Sequence, residues 1–248
     1  TSGCRLNQAE TAALRQVFAQ AGYLPVREGE PADIVVINTC TVTARSDRDT
    51  RRRLNRLRRE QPQARIAVVG CQAQLQSDDL AAFPGVTWVV GNRDKMRLPA
   101  LVAQQEGLVD TAPPERQDFT MPAAAVEPER TRANLKIQDG CDCYCAYCEV
   151  PYARGAARSR VFADIAREAG ELVAAGHREI VLCGINIGRY QHEGRGLTDV
   201  VRALLPLPQL LRLRISSLEP MAAPADLLAL MAAEPRLCRY LHLPLQSG

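Results

Sequence analysis

The 248-residue sequence has no apolar run long enough to span a bilayer and no signal-like apolar stretch at its start, which argues against a membrane-spanning or exported chain. It also lacks an even number of cysteines: the nine present cannot all pair. A chain of this length buries about 75% of its unfolded surface and needs no disulfide staples. Together these features predict a cytoplasmic monomer with reduced thiols, in which clustered cysteines signal metal or redox chemistry. A large net charge is missing too, at only +3. The positive charge is nevertheless concentrated, because Arg48, Arg51, Arg52, Arg53, Arg56, Arg58 and Arg59 crowd into one short stretch. An anionic partner such as nucleic acid and a merely solvated helix face both fit that pattern. The chain opens at Thr1 without an initiator Met and closes on "HLPLQSG", and is read as a fragment.

What is present is an alternation of helix and strand signals. Asn7 and Glu10 read as a capping box ahead of Leu14, Val17, Phe18 and Ala21, with Gly22 as the stop. The apolar strand "DIVVINT" follows. A second helix is read as starting at Ser46, with Asp49 three residues on, and ending before Pro62. "RIAVVG" and "VTWVVG" supply two further strands of the buried parallel kind. This predicts an α/β fold with an open parallel-sheet, Rossmann-like domain over residues 1–106. Pro113, Pro114, Pro122 and Pro128 mark a linker over 107–133. From 134 to 248 the alternation resumes as a partial βα barrel, with strands at "NLKIQ", "EIVLCG", "LRLRISS" and "RYLHLPL" and helices near Ile165–Val173, Asp199–Leu205 and Ala225–Ala232.

The densest chemistry is "GCDCYCAYCEVPYARG", residues 140–155. Cys141, Cys145 and Cys148 form C-x3-C-x2-C on the loop after the first strand of the second domain. Three thiolates from one loop can hold three irons of a 4Fe-4S cluster and leave the fourth open to a substrate. A structural zinc site is the alternative, and needs four protein ligands, which the loop supplies only if Cys143 joins. Cys143 is read as a bystander. In the first domain Cys40 follows "DIVVINT" and Cys71 follows "RIAVVG", both just beyond strand ends. Cys4 joins them if a strand precedes it, since strand ends of an open α/β sheet share one edge. The other reading is three separate buried cysteines.

"LKIQDGCDCYCAYCEVPYARGAARSR" resembles the cluster loop of radical S-adenosylmethionine enzymes in the version carried by the methylthiotransferases. "SGCRLNQAET", "NTCTVTARSD" and "VVGCQAQ" are similar to the amino-terminal domain of the same family, so the resemblance spans almost the whole chain. It implies two 4Fe-4S clusters, one on Cys141, Cys145 and Cys148 and an auxiliary one on Cys4, Cys40 and Cys71. It also implies S-adenosylmethionine as methyl donor and radical source, and an electron donor such as flavodoxin or ferredoxin. "NTCTVT", the arginine-rich helix and "LHLPLQSG" look most like the branch that methylthiolates N6-threonylcarbamoyladenosine at C2, next to the tRNA anticodon. The isopentenyladenosine branch and the branch acting on a ribosomal-protein aspartate share both cysteine sets. A zinc-stabilised RNA-binding module and a simple electron-transfer protein are the alternatives of other classes.

Gly184, Asn186 and Gly188 follow one barrel strand, and Ser216, Ser217 and Glu219 follow another. Gly184, Asn186, Ser216 and Glu219 are therefore read as S-adenosylmethionine contacts, against ordinary turn and cap chemistry. Cys183 and Cys238 are read as core residues, and His242 as a hydrogen-bonded core histidine, with a lumen-facing one as the alternative. Arg154 either braces the cluster loop or meets an anion.

Overall fold

The computed structural model describes residues 3–27, 29–41, 43–104, 107, 111–122 and 131–246. The chain divides into two compact units. Unit 1 comprises Thr1–Glu115 together with Cys143–Gly155, and unit 2 comprises Arg116–Asp142 together with Ala156–Gly248. The division drawn from the sequence, at 106 and 134, differs from this one by giving the whole of 140–155 to the second domain. Of the proline-marked stretch, residues 108–110 and 123–130 lie outside the described residues.

Unit 1 is built on three parallel strands in the order β1 (Ile34–Thr39), β2 (Arg65–Gly70) and β3 (Val86–Val90). The strand sequences are rich in Val and Ile because both faces are covered. Alternate residues of β2 go to opposite sides. Ala67 and Val69 pack with Leu14 of α1 (Arg5–Gln20), Trp88 and Leu98 of α5 (Leu98–Gln104). Ile66 and Val68 pack with Leu54 of α2 (Ala44–Glu60) and Leu80 of α4 (Ser77–Ala81). This is the two-residue strand period at work, sorting one strand into two cores. A five-residue helix, α3 (Cys71–Leu75), starts directly where β2 ends.

Two helix starts differ from the sequence reading. Cys4, not Asn7, is the N-cap of α1 and makes no side-chain cap bond. Asn7 and Glu10 are fully buried, and their side chains bond partners elsewhere in the fold. In α2 the cap is Thr43, whose Oγ1 accepts from Ser46 N at 3.2 Å, so Ser46 stands inside the first turn. The end of α2 at Glu60 and the stop of α1 near Gly22 agree with the sequence.

Unit 2 is organised around a second parallel sheet in the order β4 (Arg132–Lys136), β7 (Glu179–Cys183) and β8 (Arg212–Ile215). A two-stranded antiparallel pair, β5 (Gln138–Asp139) and β6 (Arg158–Ser159), sits beside it in sequence. Between β5 and β6, and belonging to unit 1, comes the short helix α6 (Val150–Arg154). Helices α7 (Phe162–Ala174), α8 (Leu197–Leu204) and α9 (Ala225–Ala233) connect and cover the strands. The core is Leu135, Ile137, Ile165, Leu182, Leu213 and Ile215 with the apolar faces of these helices. The α/β class with parallel sheets is thus as read.

The last expected strand is not one. "RYLHLPL" contributes a single parallel bridge, Ser217 to His242, because both of its alternating faces stay largely exposed, Tyr240 and His242 on one and Leu243 and Leu245 on the other. A strand with no face to bury has little to hold it in a ladder. His242 is accordingly exposed, with Nδ1 2.8 Å from Ser217 Oγ, and is not a core histidine. Cys183 is buried as expected, whereas Cys238 is only half-buried. Among the described residues no helix is long and apolar enough to cross a membrane.

Candidate functional site

The first cysteine set collects at the carboxyl edge of the unit 1 sheet. Thr39 and Gly70 are partners in the β1–β2 register, so Cys40 and Cys71 each stand one residue past an aligned pair on neighbouring strands, which lie ~4.8 Å apart. Cys4 is brought to the same edge by Gly3. A Cβ added to Gly3 would sit 2.6 Å from Cys40 Cβ and 3.3 Å from its Sγ. Gly70 is equally constrained: φ is +99° and an added Cβ would lie 2.5 Å from Thr39 O. Only glycine combines that dihedral with that approach. The strand expected ahead of Cys4 falls outside the described residues.

Buried polar atoms flank these thiols. Asn38 Oδ1, Thr41 Oγ1 and Gln72 Oε1 are inaccessible and have no hydrogen-bond partner among the described residues. They neighbour Cys40 and Cys71 in sequence. Such groups are costly to leave unpaired and point to a polar occupant of the edge. Asn92 Nδ2 lies 4.0 Å from Cys71 Sγ, and Cys4 Sγ lies 3.8 Å from Asn7 Oδ1. Among the described residues no three His, Cys, Asp or Glu side chains converge as a single metal ion requires. An iron-sulfur cluster distributes its thiolate ligands over several irons, and the donor set here, three cysteines at one sheet edge beside unpaired polar atoms, fits that chemistry.

The second set straddles the division of the chain: Cys141 belongs to unit 2, Cys145 and Cys148 to unit 1. In unit 2, Asp142 is bonded to Arg116 and accepts from Ala157 N at 3.1 Å. Buried Gln138 donates to Gly140 O at 2.8 Å, fixing the residue before Cys141. In unit 1, Cys148 N donates to Cys145 O at 2.9 Å, closing a turn that carries both thiols. Cys141, Cys145 and Cys148 are each half-buried, while Cys143 is exposed. The donor chemistry again matches a thiolate-bound cluster.

Of the residues read as S-adenosylmethionine contacts, Asn186 and Ser216 are buried at the ends of β7 and β8. Asn186 Oδ1 has no partner among the described residues. Its backbone N–H, with that of Ile185, donates to Gln138 Oε1 at 2.8 and 2.9 Å. Gln138 thus ties the root of the cysteine loop to the turn after β7. The sequence reading missed it, although a glutamine at the end of "NLKIQ", three residues before the first loop cysteine, was a visible signal. Gly184 owes its identity at least partly to packing, since an added Cβ would meet Ile187 at 2.6 Å and Gln138 at 3.0 Å. Glu219 is half-exposed and accepts from Gln246 at 2.6 Å.

On α2 all seven arginines from Arg48 to Arg59 are exposed. The buried side consists of Thr50 and Leu54. Arg48, Arg52, Arg56 and Arg59 follow helical spacing and form one stripe. Arg52 pairs with Asp49 at 3.6 Å and Arg56 with Glu60 at 2.9 Å; exposed pairs of this kind hold their charges weakly.

Residues 1–91 match the model of a family described as uncharacterized protein family UPF0004. The whole chain aligns at 38% identity with a tRNA-2-methylthio-N(6)-dimethylallyladenosine synthase of Cereibacter sphaeroides, covering 58% of it. It aligns at 36% identity with threonylcarbamoyladenosine tRNA methylthiotransferase MtaB of Bacillus subtilis, covering 57%. The chain therefore spans less than three-fifths of the length of these relatives. In fold it is similar to the radical S-adenosylmethionine methyltransferase TsrM of Kitasatospora setae, with a TM-score of 0.60 at 15% identity over 94% of this chain and 51% of that one. The cysteine motifs and these relatives together support a radical S-adenosylmethionine methylthiotransferase family for the chain.

Proposed function

We propose that this chain is the cluster-bearing part of a tRNA methylthiotransferase that acts at C2 of N6-threonylcarbamoyladenosine next to the anticodon. The observation that carries the reading is the pairing of two thiol sets, one at the carboxyl edge of the unit 1 sheet and one on the loop that follows β5. Cys141, Cys145 and Cys148 would hold one 4Fe-4S cluster and Cys4, Cys40 and Cys71 the other. When bound, the first cluster with S-adenosylmethionine supplies a radical able to activate an inert C–H bond, and the second supplies sulfur. The chain's own part is placement. Gln138 holds Gly140 and the 185–186 backbone together, Asn186 offers an unpaired acceptor at the end of β7, and Ser216 and Glu219 add polar groups after β8. A one-electron donor such as flavodoxin or ferredoxin serves the cytoplasmic, monomeric enzyme.

Relatives of both the dimethylallyl and threonylcarbamoyl kinds match at similar identity; "NTCTVT" and "LHLPLQSG" favour the second. Nucleosides from a strain lacking the protein should lose 2-methylthio-N6-threonylcarbamoyladenosine and accumulate its unthiolated precursor. If mass spectrometry instead shows loss of the isopentenyl counterpart, the reaction stands and the substrate assignment falls.

The arginine stripe of α2 is assigned to tRNA phosphates. Each neutralised phosphate releases condensed counterion, so affinity should fall with salt at a log-log slope of about −0.7 to −0.9 per contact. Reversing Arg52 and Arg56 to Glu should flatten that slope without altering S-adenosylmethionine cleavage in the absence of tRNA. An unchanged slope would make the stripe a solvated face.

A further inference from the structure

Arg154 lies outside both cysteine sets and outside the groups assigned to S-adenosylmethionine, yet it is among the largest fully buried side chains. Its Nη1 donates to Glu10 Oε1 at 2.9 Å, and its Nη2 donates to Glu10 Oε2 at 3.2 Å and to Asn7 Oδ1 at 2.7 Å. Glu10 Oε2 also takes Lys95 Nζ at 2.6 Å. Lys95 Nζ donates in turn to Asn92 Oδ1 at 2.8 Å, and Asn92 Nδ2 donates to Ala153 O at 2.6 Å. The bonds form a closed ring that leaves α6 at Arg154 and returns to it at Ala153.

Two residues bonded into that network, Asn7 and Asn92, lie beside thiols of the first set. Asn7, held by Arg154, is 3.8 Å from Cys4 Sγ and donates to Thr39 O, one residue before Cys40, at 2.8 Å. Asn92 is the residue 4.0 Å from Cys71 Sγ. The helix that Arg154 ends begins two residues after Cys148. All of these groups belong to unit 1.

We infer that Arg154 is a positioning residue: its buried fork on Glu10 and Asn7 locks the segment carrying Cys145 and Cys148 onto the helix that begins at Cys4. A guanidinium suits the task because its planar fork engages both carboxylate oxygens of Glu10 and the amide oxygen of Asn7 together, in a geometry fixed by the fork itself. Cutting the fork therefore disturbs the first cysteine set, although Arg154 follows the second in sequence. The inference rests on the reading that both sets hold clusters.

The test uses the chain with Cys141, Cys145 and Cys148 changed to Ala, reconstituted anaerobically so that only the first set can carry a cluster. Into it are introduced Arg154→Met, Arg154→Lys and, as a control on an exposed face of α8, Arg202→Met. The electron paramagnetic resonance spectrum of the reduced protein should shift in g values for Arg154→Met, shift less for Arg154→Lys, and remain unchanged for Arg202→Met. Iron and sulfide content should change by less than a factor of two. Spectra of both Arg154 variants superimposable on the parent overturn the inference. Should Arg154→Met fail to fold, Arg154→Lys alone decides, a shifted spectrum supporting and a native one overturning it. A parent that takes up no iron and sulfide shows instead that the cluster reading of Cys4, Cys40 and Cys71 is wrong, and the inference goes with it.

Discussion

Cys145→Ala should lower 5′-deoxyadenosine formation to the level of the metal-free protein, while Cys143→Ala should leave it at the level of the unchanged chain. The four thiols of the loop sit within eight positions, so proximity in sequence does not separate them. Their settings do. Cys145 and Cys148 are drawn together by the Cys148 N–H to Cys145 O bond, and with Cys141 they are half-buried, whereas Cys143 is exposed between them. A cluster held by three thiolates keeps an iron for S-adenosylmethionine, and removal of any one ligand leaves too few thiolates to retain it. The measurement is deoxyadenosine by chromatography beside the cluster's visible absorption. Loss of both signals in Cys143→Ala would make Cys143 a ligand and revise the assignment.

The triple variant Cys4→Ala, Cys40→Ala, Cys71→Ala should keep about half of the iron, as expected for one of two equal clusters. It should still cleave S-adenosylmethionine and should make no methylthio product. The structural ground is that these three thiols occupy a different place from the loop cysteines, at the end of β1, at the end of β2 and at the N-cap of α1. Gly3 and Gly70 pack tightly against Cys40 and Thr39, so the backbone of the edge is built without using a loop cysteine. Product formed at an undiminished rate would refute the sulfur-supplying role, and loss of all iron would show that the two sets are not separate sites.

Much of this was legible in the sequence. Short, largely apolar runs such as IVVI, IAVV, WVV and IVLC leave no polar face for water, and β1, β2, β3 and β7 follow from that alone. Thiol spacing is likewise local chemistry: C-x3-C-x2-C lies on one loop whatever the rest of the chain does. Cys40 and Cys71 were placed by the ends of strands already visible. The structure then decided what local rules could not. Asn7 and Glu10 carry the spacing of a capping box, and nothing nearby in sequence argues otherwise. Glu10 nevertheless pairs with a guanidinium 144 residues away, because a buried carboxylate must find a cation wherever the fold brings one. Arg154, read either as a brace or as an anion contact, is the brace, and the anion it meets is the chain's own. Ser46 lost the cap to Thr43 because a cap needs extended backbone, which Thr43 has, with φ −143° and ψ 146°. "RYLHLPL" has the alternation of a strand but no layer to cover it, so only one bridge forms. Periodicity and spacing are set by residues within a few positions of each other, and the sequence displays them. Whether a polar group is a cap, a brace or a ligand depends on what lies across the core, and only the tertiary structure determines that.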